Sequence, residues 1–297
     1  LGDDYPFEYT WYNVQTKQPV SDEFIKKEMI KLPEKKFNNK YRRKFEQLIG
    51  ASRFLTKIWN AYRFLGINLD KIKLSDIDIE IKRLTAIESY ILLEFNKNLE
   101  TITNYFDGYN WHEAFTILRP FFWNEICDNY IEAIKFRFYS DNVEERTSAL
   151  KNALNLFYNF LTIFAVIMPF ISEEIYNILF KKFRKIKSIH LEKWPQNYEK
   201  ISEELAKKGK LGLDIIKILR NYKSKLQIPL NKDLERIIIL ANNTLINDIK
   251  ELKEDIKNTI RINNLEVMNK NKENTIKSKP DLKEISEELG ITFYISL

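Results

Sequence analysis

Four side chains between residues 53 and 64 have types and spacing that could do chemistry. Arg53, Lys57, Asn60 and Phe64 follow one another at i, i+4, i+7 and i+11, which places them on one stripe of a helix. The two cations could hold phosphates, the amide could meet a base edge and the ring could stack on a base. Arg63 lies one step aside and could join from the next face. The spacing alone favours a plainer interpretation, a solvated flank with Phe64 packed beneath a loop.

A second set of residues lies on a predicted helix farther along the chain. Trp123, Cys127 and Tyr130 share one helical face at a spacing of three to four residues, which is typical of a bundle core. Cys127 is then an inert buried thiol rather than a nucleophile. Asn124 and Asp128 lie on a neighbouring flank, where they could buttress a binding site.

The sequence lacks the residue patterns of a catalytic centre. The adjacent carboxylates Glu173–Glu174 and Glu203–Glu204 diverge on a helix, so neither pair can form an acid–base dyad. One cysteine and two histidines cannot build a Cys/His zinc site. The sequence holds neither a G-x-G-x-x-G nor a Walker-type phosphate loop. We therefore expect a binding or scaffolding piece with no catalytic residues, metal or cofactor.

Composition agrees with a helical, mildly basic protein. The chain has 297 residues, with 48 Lys and Arg against 42 Asp and Glu and a formal net charge of +6. This charge permits a polyanionic partner without demonstrating one. The low content of 7 Gly and 8 Pro favours long helices over turn-rich β structure. The most apolar stretch, 154–170, is too short and polar for a membrane span, and no signal peptide opens the chain, so we expect a cytoplasmic protein.

Hydrophobic periodicity predicts four amphipathic helices with short connections, which is the pattern of a helical bundle. The predicted helices are 40–65, stopped at Gly66; 75–106, opened by a capping box of Ser75 with Asp78; 111–138, with a kink or break at Pro120; and 144–168, ended by Pro169. A short helix from Ser172 to Lys181 follows.

The composition changes after Pro195 and predicts a small α+β module. A β-branched run at 236–240 indicates a strand between helices over 199–225 and 245–260. Further strand candidates are 265–267 and 291–295, and the polar run 269–279 is predicted to be a loose loop.

The predicted fold is therefore mainly α, a helical bundle followed by a small α+β domain. The predicted domains are a connector with an insertion over 1–43, the bundle over 44–195 and the α+β module over 196–297. Within the connector, the basic run KKFNNKYRR at 35–43 is predicted to be a solvated linker or the lead-in to a helix.

Four motifs occur in a specific order over about residues 44–195. They read RFLTKIWNAYRF at 53–64, FWNEICDNYIE at 122–132, MPFISEEIY at 168–176 and SIHLEKWP at 188–195. Together they resemble the anticodon-binding domain of class I aminoacyl-tRNA synthetases, and most of all the valyl-tRNA synthetase family. The segments LGDDYPF at 1–7 and LRNYKSK at 219–225, with the Ile-Pro pair at 228–229, extend the resemblance outward. Residues 11–44 exceed the family's short connection and are predicted to be an insertion.

The resemblance implies a bundle that binds the anticodon stem-loop of valine tRNA and has no chemistry of its own. The family's H-I-G-H and K-M-S-K-S motifs are absent from the sequence, and the chain begins with Leu, so we expect a C-terminal piece whose catalytic domain is missing. ATP and Mg would serve the intact, monomeric ligase. The implied tRNA-binding residues are Arg53, Lys57, Asn60, Arg63, Phe64, Asn124, Asp128, Arg220, Lys223 and Lys225.

Two alternatives stay open at this stage. The chain could be the same region of an isoleucyl- or leucyl-tRNA synthetase, although the Trp-Asn-x-x-Cys-Asp pattern at 123–128 favours valine. It could also be a non-catalytic helical scaffold that binds protein through exposed apolar faces. Affinity for tRNA that falls steeply with salt would distinguish RNA binding from scaffolding.

Overall fold

The structure, a computed structural model, describes residues 9–70, 83–184, 186–276 and 281–296. The chain divides into two units, 1–60 and 61–297. The predicted segment Leu1–Phe7 and the predicted capping box of Ser75 with Asp78 lie outside the described residues.

Unit 1 contains a small antiparallel sheet covered by two short helices. Its elements are β1 (Thr10–Asn13), β2 (Pro19–Val20), α1 (Asp22–Lys31), α2 (Glu34–Lys40) and β3 (Tyr41–Lys44), with strand order β2-β1-β3. Trp11, Ile25, Phe37 and Tyr41 form its hydrophobic core. The prediction of a solvated linker or helix lead-in over 35–43 is wrong, because this run forms α2 and the start of β3, with Phe37 and Tyr41 buried in the core.

Helix α3 spans Glu46–Leu69 and passes the predicted stop at Gly66. Its buried face is narrower than the apolar pattern indicates. Phe54, Ile58, Tyr62 and Leu65 are buried, but Trp59 and two leucines, Leu48 and Leu55, are exposed.

Unit 2 has the mainly α, helical-bundle fold that the sequence predicts. Its helices are α4 (Ala86–Asp107), α5 (Trp111–Pro120), α6 (Ile131–Ile134), α7 (Val143–Ile167), α8 (Pro169–Ile175), α9 (Glu203–Lys225), α10 (Asn243–Glu251) and α11 (Lys253–Ile260). The break predicted at Pro120 takes the form of a change to π-helical geometry over Phe121–Tyr130. Proline removes one backbone donor from the helix at this point.

Helix α7 lies at the centre of the bundle. Its rings Phe157, Phe160 and Phe164 each pack against Phe122 of the π-helical stretch, with ring centroids 4.9–5.5 Å apart. Among the described helices α7 alone is long and apolar enough to cross a membrane, but 78% of its apolar stretch is buried inside the protein. Its apolarity is therefore that of a core helix.

The chain ends in a four-stranded mixed sheet, as the α+β prediction requires. Its strands are β4 (Leu234–Ala241), β5 (Ile262–Asn269), β6 (Leu282–Ser286) and β7 (Ile291–Ser296), in the order β5-β4-β7-β6. Strands β4 and β5 are parallel, so α10 and α11 form the crossover between them. The predicted single helix over 245–260 is divided at Leu252, and strand β6 was not predicted. The predicted loose loop at 269–279 holds a 3₁₀ helix over Lys270–Thr275.

Helix α4 begins at Ala86 with a capping box made by Thr85 and Glu88. The Glu88 amide donates to Thr85 Oγ1 at 3.3 Å, and the Thr85 amide donates to Glu88 Oε2 at 2.8 Å. Asn152 Nδ2 on α7 donates to Glu88 Oε1 at 3.1 Å. Burial raises the pKa of the Glu88 carboxyl, and these hydrogen bonds oppose the shift.

Helix α9 lies backbone to backbone against this first turn of α4. A Cβ added at Gly209 would stand 1.9 Å from the Ala86 carbonyl oxygen and 2.9 Å from the Ile87 amide nitrogen. Both are backbone atoms, so they can move away from an added Cβ only if α4 itself moves. Only glycine allows the two helices to approach this closely.

We predict that Gly209→Ala lowers the free energy of unfolding by about 1–3 kcal/mol, as expected for overpacking, despite the better helix propensity of alanine. Gly66→Ala is the matched control, since its added Cβ meets only Leu179 Cδ1 at 3.5 Å. That substitution should be neutral or stabilise by up to about 1 kcal/mol. Urea denaturation measures both, and equal stability of the two variants would contradict the close packing.

The raised pKa of Glu88 predicts a pH dependence of stability. The folded carboxyl holds its proton above the unfolded value of about 4.3, so the folded state binds more protons there. Stability therefore falls as pH rises from the unfolded pKa through the folded pKa. Compared with Glu88→Gln, the wild-type chain should lose unfolding free energy as the pH rises above the unfolded pKa of about 4.3.

Glu100→Gln, at an exposed position on the same helix, should leave the wild-type pH profile unchanged. Denaturant titrations at several pH values measure the difference between the chains. Wild-type stability that rises relative to Glu88→Gln over this range would contradict the assignment.

Candidate nucleic-acid interface

Most polar members of the predicted stripe are accessible on α3. Arg53 and Asn60 are exposed, Arg63 beside them is exposed, and Lys57 is partly buried. A helix presents residues at these spacings along one side of its surface, so the side chains form a continuous polar strip. The strip offers cations and an amide to a ligand.

Phe64, the predicted stacking residue, is only partly exposed. Its ring packs against Phe138 with centroids 5.8 Å apart, and its carbonyl accepts a hydrogen bond from Asn68 Nδ2 at 2.9 Å. The neighbouring Tyr62 is buried and donates its hydroxyl to the Phe157 carbonyl of α7. Phe64 therefore contributes to packing, and only part of its ring is available to a base.

Two ion pairs connect the π-helical stretch and α6 to α9. Lys217 Nζ lies 2.9 Å from Glu125 Oε2, and Arg220 Nη2 lies 3.6 Å from Glu132 Oε2. Arg220 also donates to the backbone carbonyl of Asp128. The structure thus brings the predicted residues Asp128 and Arg220 together, although they are 92 positions apart in the sequence.

A groove of about 680 Å³ runs beside this contact. Asp128, Asn129 and Arg220 lie on one part of it, and Asn221 and Ser224 continue along α9. Asn124 is exposed one helical turn before Asp128. Amide, hydroxyl and guanidinium groups in one groove are suited to hydrogen bonds with base edges and phosphates. Sequence reasoning missed Asn129 and Asn221, because isolated asparagines carry no periodic signal.

The two predicted lysines at the end of α9 have different surroundings. Lys223 is buried, and its ammonium group donates to the carbonyls of Leu230 at 3.3 Å, Lys232 at 2.5 Å and Ile260 at 2.7 Å. All three of its protons are used within the protein, and burial lowers its pKa. Lys225 is exposed, with its ammonium 5.5 Å from the centre of the Tyr222 ring.

Two of the sequence motifs are joined by hydrogen bonds in the structure. Glu173 of the MPFISEEIY motif accepts hydrogen bonds from Ser188 Oγ at 2.7 Å and from the Ile189 amide at 3.1 Å in the SIHLEKWP motif. These bonds outweigh partial burial and lower the pKa of the Glu173 carboxyl. Trp194 of the second motif donates from its indole nitrogen to Thr103 Oγ1 at 2.8 Å. Both motifs hold the bundle together.

Exposed aromatic rings were not predicted at the turn between α4 and α5. Tyr109 is 83% exposed and Trp111 is 50% exposed. Tyr109 has a positive φ of 58°, which turns the chain after Gly108. The only sequence signal was the Asp-Gly pair that ends α4, which predicts a turn but not which rings face solvent.

No group of three or more His, Cys, Asp or Glu side chains that could hold a metal ion occurs within the described residues. Cys127 is buried, in agreement with its predicted place in the core. Tyr130 is buried as well, whereas Trp123 is partly exposed.

Comparison with known proteins shows that this chain is similar to tRNA ligases. The sequence profile of the family described as the anticodon-binding domain of tRNA ligase matches residues 88–239. A valine–tRNA ligase of Pyrococcus abyssi (strain GE5 / Orsay) is 32% identical over 254 residues, which cover 83% of this chain and 28% of that protein. A valine–tRNA ligase of Methanothermobacter thermautotrophicus is 30% identical over 239 residues, covering 80% of this chain and 25% of that protein.

The chain thus spans little more than a quarter of the length of the relatives it matches. The matched profile begins in the first turn of α4 and ends within β4, so it includes the helices from α4 to α9 and the groove beside α9, whereas α3 with its polar strip lies before it. Because this profile covers more than half of the sequence, the chain belongs to the family of anticodon-binding domains of tRNA ligases.

Proposed function

We propose that the chain is the tRNA-binding region of a valine–tRNA ligase and recognises the anticodon stem-loop of valine tRNA. The observation that carries this proposal is the match to curated valine–tRNA ligases over 83% of the chain. Within the family, this match favours valine over the isoleucine and leucine enzymes. The chain contributes RNA affinity and anticodon selection, and no bond is made or broken on it.

The first contact surface is the polar strip of α3. Arg53 and Arg63, both exposed, bind phosphates of the anticodon loop, and Asn60 bonds to a base edge. Lys57 supports the same phosphates from a partly buried position, and the accessible part of the Phe64 ring lies beside a base. Stacking on such a partly covered ring contributes less than the roughly 1–3 kcal/mol of a fully open aromatic platform.

The second contact surface is the groove between the π-helical stretch and α9. Asn124 and Asp128 face bases or riboses, while Arg220 and Lys225 attract the phosphate backbone. Lys223 acts within the protein, since its three hydrogen bonds hold the loop that forms one wall of this groove. It is a positioning residue for the surface that RNA contacts.

The remaining features belong to the intact ligase. A catalytic domain in the same protein uses ATP and Mg to activate valine and attach it to the tRNA that this region holds. We place the enzyme in the cytoplasm as a monomer. The mostly buried α7 supports a helix of a protein core rather than a membrane anchor.

Substitutions on α3 should distinguish a side chain that reads a base from one that contacts a phosphate. Asn60→Ala should weaken binding of valine tRNA by about 1–3 kcal/mol, while a tRNA with a changed middle anticodon base is affected less. Arg53→Gln should weaken both tRNAs equally and reduce the slope of log affinity against log salt by about 0.7–0.9, because phosphate contacts carry no sequence information. Filter binding at several salt concentrations measures both effects.

Neither residue is buried, so both variants should keep wild-type thermal stability. If neither variant changes tRNA affinity, the strip on α3 is not the contact surface. Equal losses for both tRNAs in Asn60→Ala would assign Asn60 to the backbone instead of a base.

The two lysines at the end of α9 should behave oppositely. Lys223→Met should lower the free energy of unfolding by at least about 1–3 kcal/mol, the cost of leaving a buried carbonyl without its donor. Lys225→Gln should leave stability unchanged and lower tRNA affinity at low salt. Lys207→Gln, an exposed lysine near the other end of α9, is the matched control and should change neither property.

Urea denaturation and tRNA titration on the same preparations separate these outcomes. A Lys225→Gln chain that binds as tightly as Lys207→Gln would exclude this end of α9 from the RNA contact. Unchanged stability in Lys223→Met would contradict its positioning role.

A further inference from the structure

The insertion in unit 1 carries an unusual share of the positive charge. Residues 9–44 hold ten Lys and Arg against four Asp and Glu, a balance of +6 that equals the formal net charge of the whole chain. A basic cluster confined to one short folded segment creates a local positive potential that attracts polyanions. Neither the polar strip of α3 nor the groove beside α9 includes these residues.

Part of this charge is already used inside unit 1. Lys40 lies 3.5 Å from Glu28 Oε2 and sits over the Tyr41 ring. The Arg43 guanidinium stacks over Tyr9 and Trp11, with centroid distances of 4.7 and 4.9 Å. These two cations stabilise the small core.

The other cations of α2 and β3 face solvent. Phe37 fixes the buried side of α2, so Lys35 and Asn39 lie on the opposite side of that helix, next to exposed Lys36. On β3, Tyr41 is buried and Arg42 is exposed, because successive strand residues point to opposite faces. We call Lys35, Lys36, Asn38, Asn39 and Arg42 the α2–β3 basic surface.

A cleft of about 870 Å³ lies beside this surface. Asn38, Asn39 and Arg42 line it together with the edges of the core rings, and Glu34 is the acidic residue among its lining groups. Amides and a guanidinium beside aromatic edges match a sugar–phosphate backbone with its attached bases. The exposed side chains of α2 and β3 are all polar, whereas the exposed apolar residues of this segment, Phe24, Met29 and Ile30, lie on α1.

We propose that the α2–β3 basic surface is a second RNA-binding surface, which holds the phosphate backbone of tRNA without reading its sequence. Its partner is a polyanion, and the choice of RNA rests on the proposed tRNA-binding function. An anionic lipid surface is the competing polyanion. Insertion into lipid needs a broad apolar face beside the cations. The exposed side chains of α2 and β3 are polar, and the apolar side chains that reach the cleft from beside α2, Met29 and Leu32, form too small an area for that.

The test uses the full 297-residue chain and two transcripts, valine tRNA and the same tRNA with a changed middle anticodon base. The triple variant Lys35→Gln, Lys36→Gln, Arg42→Gln should weaken binding to both transcripts tenfold or more at low salt. It should also reduce the slope of log affinity against log salt by about 2, since up to three phosphate contacts are lost.

The matched control removes the same charge elsewhere in unit 1. Lys17→Gln, Lys26→Gln, Lys27→Gln changes three exposed lysines outside the basic surface and should stay within twofold of the wild-type affinity. A variant that keeps the charges, Lys35→Arg, Lys36→Arg, Arg42→Lys, should retain binding. Circular dichroism and a urea midpoint confirm that each variant is folded.

Three results would overturn the proposal. The two charge-removing triples could weaken binding equally, which would indicate general attraction by net charge. The α2–β3 triple could bind like the wild-type chain. It could also keep its RNA affinity but lose binding to phosphatidylserine vesicles, which would make lipid the partner.

If the proposed recognition of the valine tRNA anticodon is wrong, the same measurements should give a different result. The wild-type chain would then bind both transcripts equally tightly, while the α2–β3 triple still weakened both. Discrimination that survives in the triple, together with a lower overall affinity, is the result expected when both proposals hold.

Discussion

The contact of Gly209 with the first turn of α4 is the constraint on which the arrangement of unit 2 depends. Helix α9 can lie in this place only because no side chain separates the two backbones. From there, Lys217 and Arg220 reach the π-helical stretch and α6, and Lys223 reaches the loop before β4 and the end of α11. One close approach thus links the helical bundle to the mixed sheet, which agrees with a family profile that runs from α4 into β4.

Charge has separate structural and binding roles in this protein. Lys223, Glu88 and Glu173 have their polar atoms committed to hydrogen bonds inside unit 2, and their shifted pKa values reflect those surroundings. Desolvation makes an uncompensated buried charge costly, so such groups are fixed in place. The exposed cations include Arg53 on α3 and Arg42 on β3. These side chains are hydrated, and phosphate groups of a ligand can replace that water. Whether a charged side chain is structural or available to a ligand therefore depends on its burial and not on its residue type.

Much of the fold follows from the sequence because helical periodicity directly reflects burial. The long helix α7 and the central strand β4 lie close to their predicted positions, since each has a strong apolar pattern over many residues. Helix α4 ends as predicted, but the predicted start at residue 75 is wrong, because Thr85 caps the helix and it begins at Ala86. The sheet of unit 1 was missed because two- and four-residue strands are too short for such a pattern. The π-helical stretch was also missed, since its apolar spacing resembles that of an α-helix.

The candidate site was less predictable, because it depends on tertiary neighbours. Lys223 and Lys225 are two positions apart and look equivalent in sequence, yet only the structure shows three carbonyls around Lys223. Phe64 could equally face solvent or Phe138 until the position of the 3₁₀ helix over Lys135–Tyr139 is known. The pairing of Arg220 with Asp128 joins segments 92 residues apart, which no local pattern encodes.

The most direct test of the proposed recognition is the affinity of the unmodified chain for valine, isoleucine and leucine tRNA transcripts at one salt concentration. We predict that valine tRNA binds tightest, by tenfold or more, and that exchanging its anticodon loop for that of isoleucine tRNA removes the advantage. Equal affinities for the three transcripts would contradict it, as would an advantage that stays with the valine tRNA body after the anticodon loops are exchanged.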